Sequence, residues 1–239
     1  MRCLYSLIAL VASIQLVQGS YGDDNGSDNG GDNYEAPQVC NAPSSQAPFN
    51  NKAFSSNEKT DPANFDSVVR GPGYTAASLL KAGWGPNKMV HVNGYKFILP
   101  KWGKGMKDNW IEGGQKVKVT SVPGATRLGF LLSSDMGNFG GKFHIVYTDC
   151  TTQVERVGAT DWKWKIEHAP GNTIARNGFW ATNGGDVRIY TTEVDIDPSK
   201  TIAYVQFPMA NEIYDIHPYS KGTKGHVHVF ALATKKVGY

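Results

Sequence analysis

Six tryptophans, Trp84, Trp102, Trp110, Trp162, Trp164 and Trp180, are the most conspicuous residues able to do chemistry in this chain of 239 residues. An indole face packs against the C–H face of a pyranose while amides and carboxylates take its hydroxyls, so exposed rings are candidates for sugar binding. Trp102 and Trp110 stand among Gly and Lys in an expected loop, where recognition residues concentrate. Trp180 runs into the polar stretch Thr182-Asn183-Gly184-Gly185-Asp186 and has a similar setting. Lys96, Lys101, Lys104 and Lys107 gather around Trp102, a patch that could meet acidic polysaccharide or another anionic surface, or simply form a solvated rim. Trp102, Trp110 and Trp180, with Lys101 and Lys104, are therefore the candidate ligand-binding residues. Trp162 and Trp164 would point one way from a strand and Lys163 and Lys165 the other, and this pair is expected to be buried.

Catalytic patterns are missing from the sequence. It has no Gly-x-Ser-x-Gly elbow, no His-Glu-x-x-His helix, no phosphate-cradling glycine loop and no Cys-x-x-Cys pair. Glu155, Glu167, Glu193, Glu212 and Asp215 could supply the two carboxylates of a glycosidase, but any domain this rich in acids offers such choices, and surface carboxylates are the plainer reading. His226 and His228 alternate onto one strand face, which His144 or His217 could complete as a metal site. Phe230 and Leu232 are expected on that same face, which favours core or rim histidines. Asp195 and Asp197 could help hold calcium, though a turn at Asp197-Pro198-Ser199 is simpler. The expectation is a non-enzyme with no cofactor and no metal.

Three cysteines look uneven until the first nineteen residues are read. Met1 and Arg2 precede an apolar run from Leu4 to Val17, about 14 residues and short of the roughly 20 a bilayer span needs, followed by small residues near Gly19. Residues 1–19 read as a secretory signal that removes Cys3. Cys40 and Cys150 are then left as an expected disulfide, worth roughly 4 kcal/mol in the chain-entropy model, pinning an N-terminal arm to the domain. Residues 20–47 form an Asp/Asn/Gly-rich leader too polar to fold alone, and its acid spacing does not fit an EF-hand. Asn25-Gly26-Ser27 is a glycosylation sequon. The product is expected to be extracellular or cell-wall associated, with no membrane partner.

The formal charge of +3 conceals a split. Residues 20–35 carry five acids and no base, and with Arg2 gone the rest holds 23 basic against 16 acidic residues, or +7. No nucleic-acid motif accompanies that charge, so nucleic acid is not an expected partner. Residues 48–239 read as short β-rich segments bounded by Gly, Pro and Asn. These are 90–92, 95–99, 115–119, 127–132, 143–147, 152–157, 187–194, 201–207 and 226–233, with one helix at 75–82. Asn93-Gly94, Pro123-Gly124 and Asn183-Gly184-Gly185 mark turns. Nine strands and one short helix predict an all-β domain, an antiparallel sandwich or jelly roll.

The ordered series Asn64-Phe65-Asp66, Gly73-Tyr74-Thr75-Ala76, Ala82-Gly83, Gly85-Pro86, Val92-Asn93-Gly94 and Phe97 resembles the opening of an accessory β-sandwich module of secreted bacterial glycoside hydrolases. Gly129-Phe130-Leu131, Tyr147-Thr148-Asp149, Asp161-Trp162, Val194 to Thr201 (with Asp197-Pro198-Ser199-Lys200) and His228-Val229-Phe230-Ala231-Leu232-Ala233 continue it in order, over nearly the whole domain. The resemblance implies a jelly-roll-like sandwich similar to carbohydrate-binding modules, without catalytic residues and with Trp162 as a core anchor. The chain departs from that pattern in having no attached glycosidase and in carrying Cys150 where those modules usually have Gly. The reading is a secreted, non-catalytic protein that binds glycan or cell-wall polysaccharide. The alternatives are a secreted or host-directed factor binding a protein partner, and a glycan-active enzyme with an unrecognised site.

Overall fold

The computed structural model describes residues 39–66, 70–163, 168–216 and 224–237. The proposed signal, most of the leader, Asn25, Trp164, Glu167 and His217 lie outside the described residues. Two antiparallel sheets make the sandwich. The first runs β13 (Val227–Lys235), β6 (Arg127–Ser134), β10 (Asp186–Asp195), β9 (Thr173–Trp180). In the second, β7 (Phe139–Tyr147) pairs with β8 (Thr152–Ala159) on one side. On its other side it pairs with β12 (Tyr214–Asp215) and with β11 (Ile202–Gln206), which in turn carries β5 (Lys116–Val117). The all-β antiparallel sandwich expected from the sequence is the observed architecture.

Alternation along β6 shows why the first sheet is the centre of the molecule. Leu128, Phe130 and Leu132 face the second sheet, where they meet Phe143, Ile145, Val205 and Phe207. Leu131 and the backbone of Gly129 face the opposite way, so β6 is apolar on both faces and reads as a continuous buried run. A further layer covers that opposite face. It consists of β1 (Phe54–Ser55), β2 (Tyr74–Thr75), α1 (Ala76–Lys81) and the hairpin of β3 (Met89–Val92) and β4 (Tyr95–Ile98). Phe54, Phe65, Tyr74, Trp84, Phe97, Phe179 and Phe230 fill the space beneath it. The Asn93-Gly94 turn has positive φ at both residues, +49° and +80°, as a type I′ hairpin requires. Asn93 Nδ2 ties that turn to Thr173 and Thr191 at 2.7 Å each.

The structure adds a strand that periodicity does not reveal. In β9 only Phe179 is buried, and Thr-Ile-Ala-Arg-Asn-Gly carries no alternating pattern. An edge strand needs only the hydrogen bonds of one neighbour, here β10. The face assignment of β13 also changes. Pairing with β6 slips between Val229 and Ala231, and this bulge turns Leu232 toward the sandwich core while His228 and Phe230 face the covering layer, so Leu232 does not share their face. Trp162 is fully buried between Phe65 and Tyr74, as the resemblance implied, but in a turn after β8 rather than within a strand.

The Cys40–Cys150 disulfide is formed, with the Cα atoms 4.9 Å apart and the two residues 110 positions apart in sequence. Cys40 N–H also donates to Thr148 O at 2.9 Å, Gln46 Oε1 accepts from Lys118 N–H, and Ala47 O accepts from Trp110 Nε1. Residues 40, 46 and 47, grouped with the leader on composition, are thus bonded to the sandwich. Cys150 has φ +64°, a left-handed conformation that glycine adopts more readily than a residue with a Cβ.

Candidate functional site

Among the described residues, two depressions and one polar cluster could carry function. The first depression, a cleft of about 550 Å³, opens where α1 meets the end of β9 and is lined by Thr75, Lys81, Arg176, Asn177 and Trp180. Its platform is rigid for local reasons. Trp180 N–H donates to Ser78 Oγ at 3.1 Å, and Ser78 Oγ donates in turn to Thr75 O at 2.9 Å. Thr182 N–H reaches Gly73 O, and Phe179 beneath packs edge-on against Trp84. Between Ile189 and Val187 of β10, β9 spends an extra residue at Asn177-Gly178, with Gly178 at φ +78°. That bulge pushes Asn177 outward and re-aims the strand so that Trp180 stands out of the sheet. The Trp180 ring is 55% exposed, with Arg176 and Lys81 as cations, Asn177 and Thr75 as donors and acceptors, and no carboxylate in the lining.

The other tryptophan candidates are placed differently. Trp110 is 4% exposed, donates Nε1–H to Ala47 O and lies between Phe49 and Phe207, so it offers no open stacking face. Its backbone also forms an antiparallel bridge with Val229 of β13, which fastens this glycine- and lysine-containing stretch to the first sheet. Trp102 is half-buried and packs edge-on against Phe54, beneath a loop fastened by the buried Lys52. Lys52 Nζ reaches Gly103 O at 3.0 Å and Asp61 at 3.2 Å, and Gly105 N–H donates to Asp61. Lys101 and Lys104 are both exposed. Lys101 lines the second depression, a groove of about 800 Å³ between β4 and β13, and Lys104 lines neither.

The polar cluster occupies the end of the sandwich around the β6–β7 turn. His228 is fully buried and stacks on Phe65 with centroids 3.8 Å apart. Its Nδ1 lies 3.0 Å from Asn109 Oδ1 and its Nε2 3.4 Å from Asp135. His226 pairs through Nδ1 with Glu112, which raises the imidazole above its ordinary pKa against the opposing pull of burial. Burial pushes the Asp161 carboxyl up to about 6, with Asp66 and Asp135 adding repulsion, although the N–H groups of Lys163 and Gly137 hold it. Burial likewise pushes Asp108 up to about 7 against the N–H groups of Ala53 and Phe54. These bonds are what buried polar groups need to be tolerated, and they knit β1 and the β6–β7 turn together.

The remaining carboxylates are dispersed. Glu155 accepts from Gln153, Glu193 from Lys235 and Tyr95, and Glu212 from Met209 N–H. Asp195 pairs with Arg127, and Asp197 accepts from Ser199 N–H and Oγ in a turn of its own side chain's making. Among the described residues no three His, Cys, Asp or Glu side chains converge as a metal site, and no helix is long and apolar enough to cross a membrane. Arg176 and Asn177, the partners of Trp180, carry no sequence signal of their own. The only pointer to them is a Gly inside an otherwise polar run. Compared with known protein families and with curated proteins, the chain matches none.

Proposed function

We propose that the domain is a non-catalytic glycan-binding module whose ligand stacks on Trp180. The observation that carries the reading is a tryptophan held rigidly yet more than half exposed, above a cleft furnished with an amide, a hydroxyl and two cations. A pyranose lying on the indole would present its ring hydroxyls to Asn177 and Thr75, and Lys81 and Arg176 would admit carboxylated or sulfated sugars. Support also comes from the resemblance to accessory sandwiches of glycoside hydrolases. The disulfide fits an oxidising compartment and so supports the reading of a secreted protein, extracellular or cell-wall associated.

The test is a glycan array followed by retention on insoluble polysaccharide. Trp180→Ala should weaken binding by about 2 kcal/mol, roughly 30-fold in Kd, with Trp180→Phe between it and the parent. Absence of binding to every glycan, or full binding by Trp180→Ala, would refute the reading. Release of reducing ends by the purified protein would point instead to an enzyme, and capture of a protein partner to the host-directed alternative.

A further inference from the structure

The second depression has a composition that the Trp180 cleft does not share. Five lysines line it, Lys96, Lys101, Lys118, Lys235 and Lys236, and no carboxylate or arginine does. They come from four separate stretches of sequence: β4, the segment after it, the residue following β5, and the end of β13. Only the fold brings the last three beside the first two. Lys235 is already neutralised by Glu193 at 2.7 Å, whereas Lys96, Lys101, Lys118 and Lys236 are exposed and form no ion pair with a described residue. Four like charges facing one groove repel each other, a cost relieved when an anion enters.

The floor narrows the class of anion. Ile98 is 62% exposed and Val122 47%, and Pro100 lies beside them, giving aliphatic ribs rather than stacking platforms. Phe49 and Trp110 at the groove are packed on each other at 4.3 Å, so their faces are taken. A single-stranded nucleic acid would want free aromatic faces for its bases. Flexible lysines act as point charges, unlike the planar forks that arginine offers to a carboxylate or phosphate. The exposed Asn87 amide, Thr120 hydroxyl and Gln46 amide nitrogen are suited to sugar hydroxyls.

We infer that this groove is a second binding site, for a linear anionic polysaccharide bearing carboxylate or sulfate groups, with Lys96, Lys101, Lys118 and Lys236 as its charge contacts. It shares no residue with the Trp180 cleft and stands independently of it.

The experiment measures binding of the purified mature chain to polygalacturonate and dextran sulfate, against neutral dextran, between 50 and 200 mM salt. Four neutralised charges should give about a 50-fold loss of affinity over that range, taking the flexible-polyanion slope of roughly 0.7 per contact. Lys101→Gln with Lys118→Gln should weaken binding roughly tenfold or more and cut the salt-dependent loss to about 7-fold. The control pair Lys59→Gln with Lys142→Gln removes the same charge elsewhere and should leave both unchanged, as should Trp180→Ala. Near-ultraviolet circular dichroism verifies that the variants fold. Equal binding to neutral dextran, equal weakening by the control pair, or tighter binding of a glutamate-rich peptide or a dT20 oligonucleotide would overturn the inference.

Discussion

Cys150 joins two physical effects that can be separated by mutation. The disulfide to Cys40 closes a loop of 110 residues, and the chain-entropy relation for that length gives about 4.8 kcal/mol at 25 °C. Cys150 is also held at φ +64°, where a side chain costs roughly 1 kcal/mol relative to glycine. Two disulfide-free proteins follow, Cys40→Ser with Cys150→Ser and Cys40→Ser with Cys150→Gly. Both should lose up to about 5 kcal/mol, a fall of roughly 10–20 °C in Tm for a domain of this size. The glycine version should recover about 1 kcal/mol, or some 2–4 °C, because its turn no longer strains a Cβ. Urea denaturation monitored by tryptophan fluorescence, with calorimetry beside it, reads both differences. A loss below about 1 kcal/mol would refute the loop-closure reasoning, and a serine version as stable as the glycine one would refute the backbone reasoning.

Other expected outcomes concern packing and charge. A Cβ on Gly129 would lie 2.5–2.8 Å from Tyr95 ring atoms, so Gly129→Ala should cost about 1–3 kcal/mol and loosen the β3–β4 hairpin, visible as faster amide exchange at Val90 and Phe97. The His226–Glu112 pair raises the folded pKa of the imidazole. Its stabilisation is therefore complete below the unfolded value near 6.5 and is lost as pH rises through the higher folded value. Denaturation at pH 5.5 and 8.5 should show more of this contribution at the lower pH, and Glu112→Gln should remove the His226 share of the difference while leaving the share of the buried Asp108 and Asp161 carboxyls in place. Asp108→Ala should cost about 3 kcal/mol by stranding the N–H groups of Ala53 and Phe54, read as a lower urea midpoint.

The proposed site owes its geometry to irregularities in otherwise regular strands. The bulge in β9 presents Trp180 and Asn177, while the slip in β13 turns Leu232 away from Phe230 and toward the sandwich core. In each case a regular strand would have aimed the residues elsewhere, since side-chain direction alternates strictly along a strand. The rigid sandwich beneath, with β6 buried on both faces, lets these local departures persist without cost to the overall fold.

The sandwich architecture was readable from the amino-acid order because most of its strands are half or wholly buried, and burial writes alternating or continuous apolar runs into sequence. β6, β10, β11 and β13 were visible for that reason, and so was the Asn93-Gly94 hairpin, whose backbone admits few other residues. The pairing of Cys40 with Cys150 followed from there being just two cysteines after the first nineteen residues. Tertiary structure alone decided which tryptophan is available. Trp110 and Trp180 both sit beside glycine and polar residues, yet one is enclosed by Phe49, Phe207 and the arm at Ala47, and the other stands on an edge strand more than half exposed. Tertiary structure also gathered Lys118 and Lys236 beside Lys96 and Lys101. Exposure and charge convergence depend on which residues, from tens to more than a hundred positions apart, the fold brings together, which no local pattern records.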